Sequence, residues 1–476
     1  MSFNTSLFLL YFFPVFLILY FLTPPRFKNL MAFAASILFY AWGAPKFVFL
    51  ILGILIIDFW LGDKIYESTG KKRKGYLIAS LVLNLSFLFY FKYFNFFVDN
   101  VNVIFTALGL HENNFVRVAL PLGISFFSFQ EMSYTIDIYR GKNPPLKKFT
   151  DYALFVFLFS HITAGPIVTY GALADDLIDR RQKLNNDYRL QGFLLFFIGL
   201  AKKVLIADTL GVQIDHVYAT NPDHLSSLDC WLAAIAANFQ LYFDFAGYSD
   251  MAIGIGKLLG FDFPTNFDFP FSAKSFAELW RRWNITLVHW LRDYLYIPIG
   301  GNRGRGIMPY FNIWFVFVVC GFWHAATWSD FCWGAWCGFI VVLEALFLLK
   351  FLEKVPSVVR IGYVFISFMI GVVFFKIHDV KLAFRIVEKI FSFHGMALTP
   401  GLYPTNRFIF YIAIAIFFSF VGVNQSIRKW LNQFFDVSDS SALVVTSKML
   451  LCIILFGLCL AEIVSTDFKP FMYYKF

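Results

Sequence analysis

His324 closes an uncharged apolar run, Ile313-Trp-Phe-Val-Phe-Val-Val-Cys-Gly-Phe-Trp323, and is followed by Ala-Ala-Thr-Trp328. A run of that kind has the character of a membrane helix. An ionisable ring at its end is expensive to bury, which makes His324 a functional candidate by default. The neutral imidazole is the form expected there, because desolvation disfavours the charged one. In that form it can accept a proton from a hydroxyl. The bare residues leave a second reading open, a histidine at a helix end that only packs.

Upstream lies the densest polar cluster of the chain, Glu278-Leu-Trp-Arg-Arg-Trp-Asn-Ile-Thr-Leu-Val-His-Trp-Leu-Arg-Asp293. Read as one helix, it is charged and aromatic all round and cannot face lipid. Arg281, Arg282 and Arg292 suit anionic groups such as phosphate. Asn284 and His289 are spaced so that a regular helix turns them to different sides, and only an irregular one aims both at one spot.

Three further polar clusters interrupt apolar sequence. Leu120–Arg140 carries Gln130, Glu131, Asp137 and Arg140, read as helix–helix hydrogen bonding with an Asp137–Arg140 pair, or as the lining of a cavity. His161 precedes the helix-breaking step Gly165-Pro166, which favours a structural kink over catalysis. Gln240–Gly256 places Asp244 and Asp250 in a segment otherwise fit for the bilayer. Each needs a cation, donors or water, and Arg281 and Arg282 are the expected partners. Gly254, Gly256 and Gly260 lack the strand-turn-helix context of a nucleotide loop.

The elements that hold these residues are membrane helices. Of 476 residues, 59% are hydrophobic and 15% charged, and mean hydropathy is +0.65. That composition reads as an all-α polytopic membrane protein. Apolar stretches fall near 5–22, 29–43, 46–62, 76–98, 149–171, 189–210, 228–243, 308–324, 328–352, 357–377, 405–423 and 446–464, which predicts about 11 spans. Short or interrupted stretches point to re-entrant or broken helices, and 382–391 to a helix lying in the interface. The net charge of +9 reports orientation, not nucleic-acid binding. Lys71–Lys74 and Arg180–Lys183 are expected as cytoplasmic loops. The six cysteines form no CxxC pair and read as apolar packing residues. No set of side chains carries metal-ligand spacing, and no bound cofactor is expected. The first apolar segment reads as a retained helix, because Pro24-Pro25 follows it with no small-residue cleavage site. With no linker or repeat, residues 1–476 read as a single membrane domain.

Several long stretches resemble the membrane-bound O-acyltransferases (MBOAT), in their bacterial alginate O-acetyltransferase branch. They are Leu120-Pro-Leu-Gly-Ile-Ser-Phe126, Ala164-Gly-Pro-Ile-Val168, Gly199–Asp208, Tyr242–Gly254, Trp280-Arg-Arg-Trp283, Trp290–Arg303 and Phe322–Trp328, with an aromatic C-terminal ending at Pro470–Phe476. The resemblance implies a multi-helix shell around a central tunnel, acyl transfer from a thioester to a hydroxyl, and His324 as the essential histidine. It also implies a bacterial inner-membrane location and an extracytoplasmic, esterase-like partner that places the acyl group on an exported polysaccharide. One position departs from the pattern. Bacterial members commonly carry a second histidine after the Trp-Arg-Arg-Trp motif, where this chain has Asn284. Asn284 can orient a reactant but cannot relay a proton, and His289 is the remaining candidate for that role.

The mechanism so implied takes acetyl-CoA, or an acyl group on a carrier protein, at the cytoplasmic mouth. Arg281, Arg282 and Arg292, with Lys202 and Lys203, are its phosphate-binding candidates, and Asp244 and Asp250 complete the substrate-binding set. Tyr473 and Tyr474 are candidates for a transient acyl acceptor or for an interfacial aromatic belt. A transporter or flippase, and a non-catalytic scaffold of a polysaccharide-export complex, are the alternatives from other classes.

Overall fold

The computed structural model describes residues 1–111, 115–393, 395–435, 437, 441–466 and 469–472. Tyr473 and Tyr474 lie outside them. In chain order the helices are α1 (Phe8–Leu22), α2 (Lys28–Gly43), α3 (Pro45–Glu67), α4 (Gly70–Ala107), α5 (Ile124–Tyr139), α6 (Phe149–Phe157), α7 (Tyr170–Ile178), α8 (Asn186–Ala219), α9 (Ser227–Leu258), α10 (Phe276–Arg282), α11 (Ile285–Leu291), α12 (Met308–His324), α13 (Trp328–Leu352), α14 (Ser357–Lys376), α15 (Val380–Ser392), α16 (Asn406–Val423), α17 (Gln425–Phe435) and α18 (Ala442–Ser465). Helices satisfy their own backbone groups, which is what a bilayer demands of apolar sequence. The chain is an all-helical, multi-pass membrane protein. Against the expected 11 or so spans, seven of the described helices are long and apolar enough to cross a membrane: α3, α4, α8, α13, α14, α16 and α18. Helices α1 and α12 are apolar but shorter. The 32 residues of α9 include Asp229, Asp244, Asp250 and Lys257, charges that lower its hydropathy.

The chain divides into two compact units, Met1–Arg189 with Ile255–Pro264, and Leu190–Gly254 with Thr265–Phe476. In the first, the apolar stretch 149–171 is not one helix. Helix α6 stops at Phe157, and turns follow through buried residues up to Val168. His161 serves that break. Its Nε2 lies 2.9 Å from the Phe155 carbonyl and its ring meets Phe263 edge-on at 5.1 Å, so it is a structural residue. Lys71–Lys74 is not a loop but the first turn of α4. There Arg73 donates to the last carbonyls of α5, at Ile138 (3.0 Å) and Tyr139 (2.8 Å), a favourable place for a cation. Asp137, expected beside Arg140, pairs with Lys142 at 3.1 Å. Arg180 is buried, donating to the Leu259 carbonyl at 2.8 Å.

In the second unit, α8 and α9 cross at glycines. A Cβ on Gly199 would lie 2.5 Å from the Gly247 carbonyl, and one on Gly254 would lie 2.6 Å from that of Gly192. Small residues of this kind let membrane helices approach closely, which gives Gly254 a packing role. The α15 segment is the expected amphipathic helix, with Asp379 accepting from the Lys381 and Leu382 N–H groups as its cap. Its inward residues are Ala383, Ile386 and Ile390, whereas Phe384 and Phe391 stay exposed. Five of the six cysteines are buried, and all six are free thiols.

Candidate active site

His324 is the last residue of α12, and the α12–α13 hairpin fixes where it stands. The two helices meet at glycines: a Cβ on Gly321 would fall 2.4 Å from the Asp330 carbonyl, and one on Gly334 2.4 Å from that of Phe317. Thr327 starts α13 as its N-cap, accepting from the Asp330 N–H at 3.1 Å. The Thr327 hydroxyl also donates to the Asp330 carboxylate. So held, His324 is 3% exposed. Its ring is packed edge-on by Trp323 (4.9 Å), Trp333 (5.0 Å) and Phe375 (5.5 Å). Gly334→Ala should therefore lower the thermal midpoint of the purified protein and its acyl-transfer rate together. Forcing a methyl into a packed contact costs about 1–3 kcal/mol, and the displaced hairpin carries the histidine.

The Glu278–Asp293 cluster is not one helix. It breaks between α10 and α11 at Asn284, which has φ +45° and ψ +51° and is 5% exposed. Asparagine is among the few residues that adopt this left-handed conformation readily. The break is anchored from outside the cluster. The Ile285 N–H donates to the Asn266 carbonyl at 3.0 Å and the Asp268 N–H to that of Arg282 at 2.9 Å. Trp280 packs on Phe317 and Trp333, and Trp283 on Phe368. Trp333 thus touches both Trp280 and His324, which brings the cluster and the histidine into one aromatic assembly.

The basic residues sort by exposure. Arg281, His289 and Arg292 are exposed, whereas Arg282 is half-buried. Arg282 pairs with Glu278 at 2.7 Å. Burial raises the Glu278 pKa, but the Lys274 N–H and Arg282 outweigh it and leave the carboxyl below its usual range. Arg292 forks onto Asp293 at 2.7 and 3.0 Å. Partial desolvation, and then the charge of Arg292, lower the His289 pKa and favour its neutral form. His289 is exposed and His324 buried.

Asp244 and Asp250 do not pair with Arg281 and Arg282. Their partners are Lys203 and Lys202, each at 2.5 Å. The reason is proximity along α8 and α9, whose glycine crossing brings the lysines to the carboxylates. Lys203 is 1% exposed. It donates to Asp208 (2.8 Å), Asp244 and the Pro470 carbonyl (3.3 Å), and lies 4.7 Å from the centre of the Phe471 ring. With its donors so engaged it is not a phosphate ligand. The second oxygen of Asp244 accepts from the Met472 N–H at 2.9 Å, and Phe471 meets the Tyr248 ring edge-on at 4.5 Å. Asp244 therefore fixes the C-terminal segment. The Gly-Leu-Ala-Lys-Lys motif, two lysines inside an apolar stretch, was the signal for this arrangement.

A cavity of about 300 Å³ opens beside this segment, lined by Asp215, Tyr218, Phe375, Lys376, Ile377, His378, Leu382 and Met472 among others. Phe375 belongs both to its wall and to the ring packing of His324. Lys376 is paired with Asp215 at 2.9 Å, and His378 Nδ1 lies 3.7 Å from the buried Asp330 carboxylate. Asp330, Phe375 and His378 were not singled out by sequence, because nothing in their spacing ties them to His324. The arrangement can do proton-transfer chemistry: a buried imidazole packed against Phe375, which also lines a cavity of about 300 Å³.

The family profile described as MBOAT, membrane-bound O-acyltransferase family, matches residues 71–422. The chain is 39% identical to a probable alginate O-acetylase of Pseudomonas aeruginosa, over 88% of this chain and 81% of that one. It is 35% identical to the probable alginate O-acetylase of Azotobacter vinelandii over the whole of both. The peptidoglycan O-acetyltransferase of Helicobacter pylori is 34% identical, over 83% of this chain and 81% of that protein. With a match across most of its length, this chain belongs to the membrane-bound O-acyltransferase family.

Proposed function

We propose that the protein moves an acetyl group from a cytoplasmic thioester through the bacterial inner membrane to hydroxyls of an exported polysaccharide, with His324 as general base. The observation that carries this reading is the burial of His324 against Phe375, the residue that also lines the cavity. In the desolvated setting the neutral imidazole takes the proton of an incoming hydroxyl as that oxygen attacks the thioester carbonyl. The thiol leaves, and the imidazolium returns the proton to it. Arg281, exposed on α10, and Arg292, exposed just after α11, are assigned the phosphates of acetyl-CoA or of a carrier-bound donor, because guanidinium groups suit phosphate. The names of the relatives support a glycan acceptor, alginate or peptidoglycan. Delivery to that glycan is assigned to an extracytoplasmic acetyltransferase-like partner. The test is the O-acetyl ester content of the exported glycan in cells carrying the wild-type or the His324→Gln chain at equal membrane abundance. Loss of the esters supports the reading, and unchanged acetylation overturns it.

Asn284 is assigned an orienting role at the reacting carbonyl. Asn284→Gly keeps the left-handed backbone and removes only the side chain. The expected result is an unchanged thermal midpoint with a fall of about tenfold or more in kcat, within the range for loss of a hydrogen-bonding group in a transition state. Unchanged kcat would reduce Asn284 to a backbone role.

A further inference from the structure

Glu344 is a charged residue inside a membrane span, α13, and the site described above does not use it. It stands where that helix opens into a single wider turn, Glu344–Leu348, and is 3% exposed. Ionisable groups at such a depth are costly and mark functional positions, and single wider turns within helices often do the same. Both of its oxygens are engaged by another helix. One accepts from the Phe276 N–H at 2.6 Å and the other from the Ala277 N–H at 2.9 Å.

Phe276 and Ala277 open α10. The first N–H groups of a helix have no partner within it, and their partial positive charge favours an anion. Ser275 meets the next of them, accepting from the Glu278 N–H at 3.0 Å. Glu344 and Ser275 together complete the start of α10. That start needs outside support, because α10 has only seven residues, too few to be stable by its own bonds. Farther along it, the Trp280 ring lies 5.8 Å from that of Trp333. Trp333 and Glu344 are about three turns apart on α13 and share a face. That face carries both the ring that packs on His324, at 5.0 Å, and the carboxylate that holds α10.

We propose that Glu344 is a positioning residue for donor binding: its carboxylate fixes the start of α10, and through it the place of Arg281 relative to His324. The proposal rests on the acyl-transfer reading and on the phosphate role given there to Arg281. His324 has support of its own in the glycine contacts of the α12–α13 hairpin and the Thr327 cap. Loss of the Glu344 carboxylate should therefore fall on donor binding more than on the chemical step.

The test is Glu344→Gln in the purified full-length protein. Glutamine keeps the shape, but it offers one acceptor oxygen and turns an amide donor towards the second N–H. The KM for acetyl-CoA should rise about fivefold or more with kcat within about twofold, the pattern of lost ground-state binding. In an Arg281→Gln background the same change should add nothing to KM, because both act on one contact. Hydrogen exchange over Phe276–Arg282 should quicken in Glu344→Gln while the α12–α13 hairpin stays protected. Glu344→Asp keeps the charge but falls a methylene short. It should move both readouts in the same direction, and it carries the test where the glutamine variant does not fold. Unchanged exchange over α10 overturns the anchor whatever the reaction is. Faster exchange with KM unchanged, a fall in kcat alone, or a KM effect undiminished in the Arg281→Gln background overturns the positioning role. An Arg281→Gln chain with wild-type KM refutes the donor-binding reading, and the proposal falls with it. Exchange over α10 that still responds to Glu344 marks that case.

Discussion

Replacing His324 by alanine or glutamine should cut the acyl-transfer rate by about 10²–10⁴-fold, the range that a positioned acid–base group supplies. The two substitutions separate chemistry from packing. The His324 ring is held among Trp323, Trp333 and Phe375, so alanine opens a void and costs stability as well. Glutamine fills much of that space and keeps a hydrogen-bonding end, but its amide cannot take up a proton. Both variants should be inactive, while only the alanine variant should unfold early. Added imidazole should then restore part of the rate in His324→Ala, because the vacated space borders Phe375 on the wall of the 300 Å³ cavity. That rescue should strengthen as pH rises and the added base loses its proton. A glutamine variant that keeps the wild-type rate would refute the general-base role.

What the sequence could show followed from local chemistry. His324 was legible because an ionisable ring at the end of an uncharged helix is itself an anomaly, and Asn284 because it stands inside a conspicuous aromatic and basic motif. Why Asn284 tolerates its place needed the structure: the cluster breaks there, and the backbone is left-handed. The same conformation is also populated by histidine and aspartate. Helices such as α3, α14 and α18 were readable from apolar length alone. The stretch 149–171 looked equally apolar, but its second half is buried irregular chain, and burial by protein leaves the same compositional mark as burial by lipid. Asp244 was recognised as needing a cation. Its partner was assigned to arginines downstream, because no local rule links it to Lys203, 41 residues away, or to Met472, 228 residues away.

That pairing yields the second large effect. Lys203→Met should destabilise the protein by about 3–5 kcal/mol, the cost of leaving a buried ion pair with one partner missing. Two carboxylates lose their cation at once. Asp244 is 2% exposed at its side chain and Asp208 is 17% exposed, so water offers little compensation. The damage should also be directional. Lys203 holds the Pro470 carbonyl and lies against Phe471, while Asp244 holds the Met472 N–H. The C-terminal segment should therefore loosen first, and carboxypeptidase should trim past Met472 faster in Lys203→Met than in the wild type. Pairing the change with Asp244→Leu removes the stranded charge and should recover part of the thermal midpoint. It should not restore protection of the terminus, because the acceptor for the Met472 N–H is gone as well. Because Met472 lines the cavity beside His324's aromatic wall, the double variant should fold and still transfer acyl groups slowly. A double variant with wild-type turnover would show that the fixed terminus contributes to the fold alone.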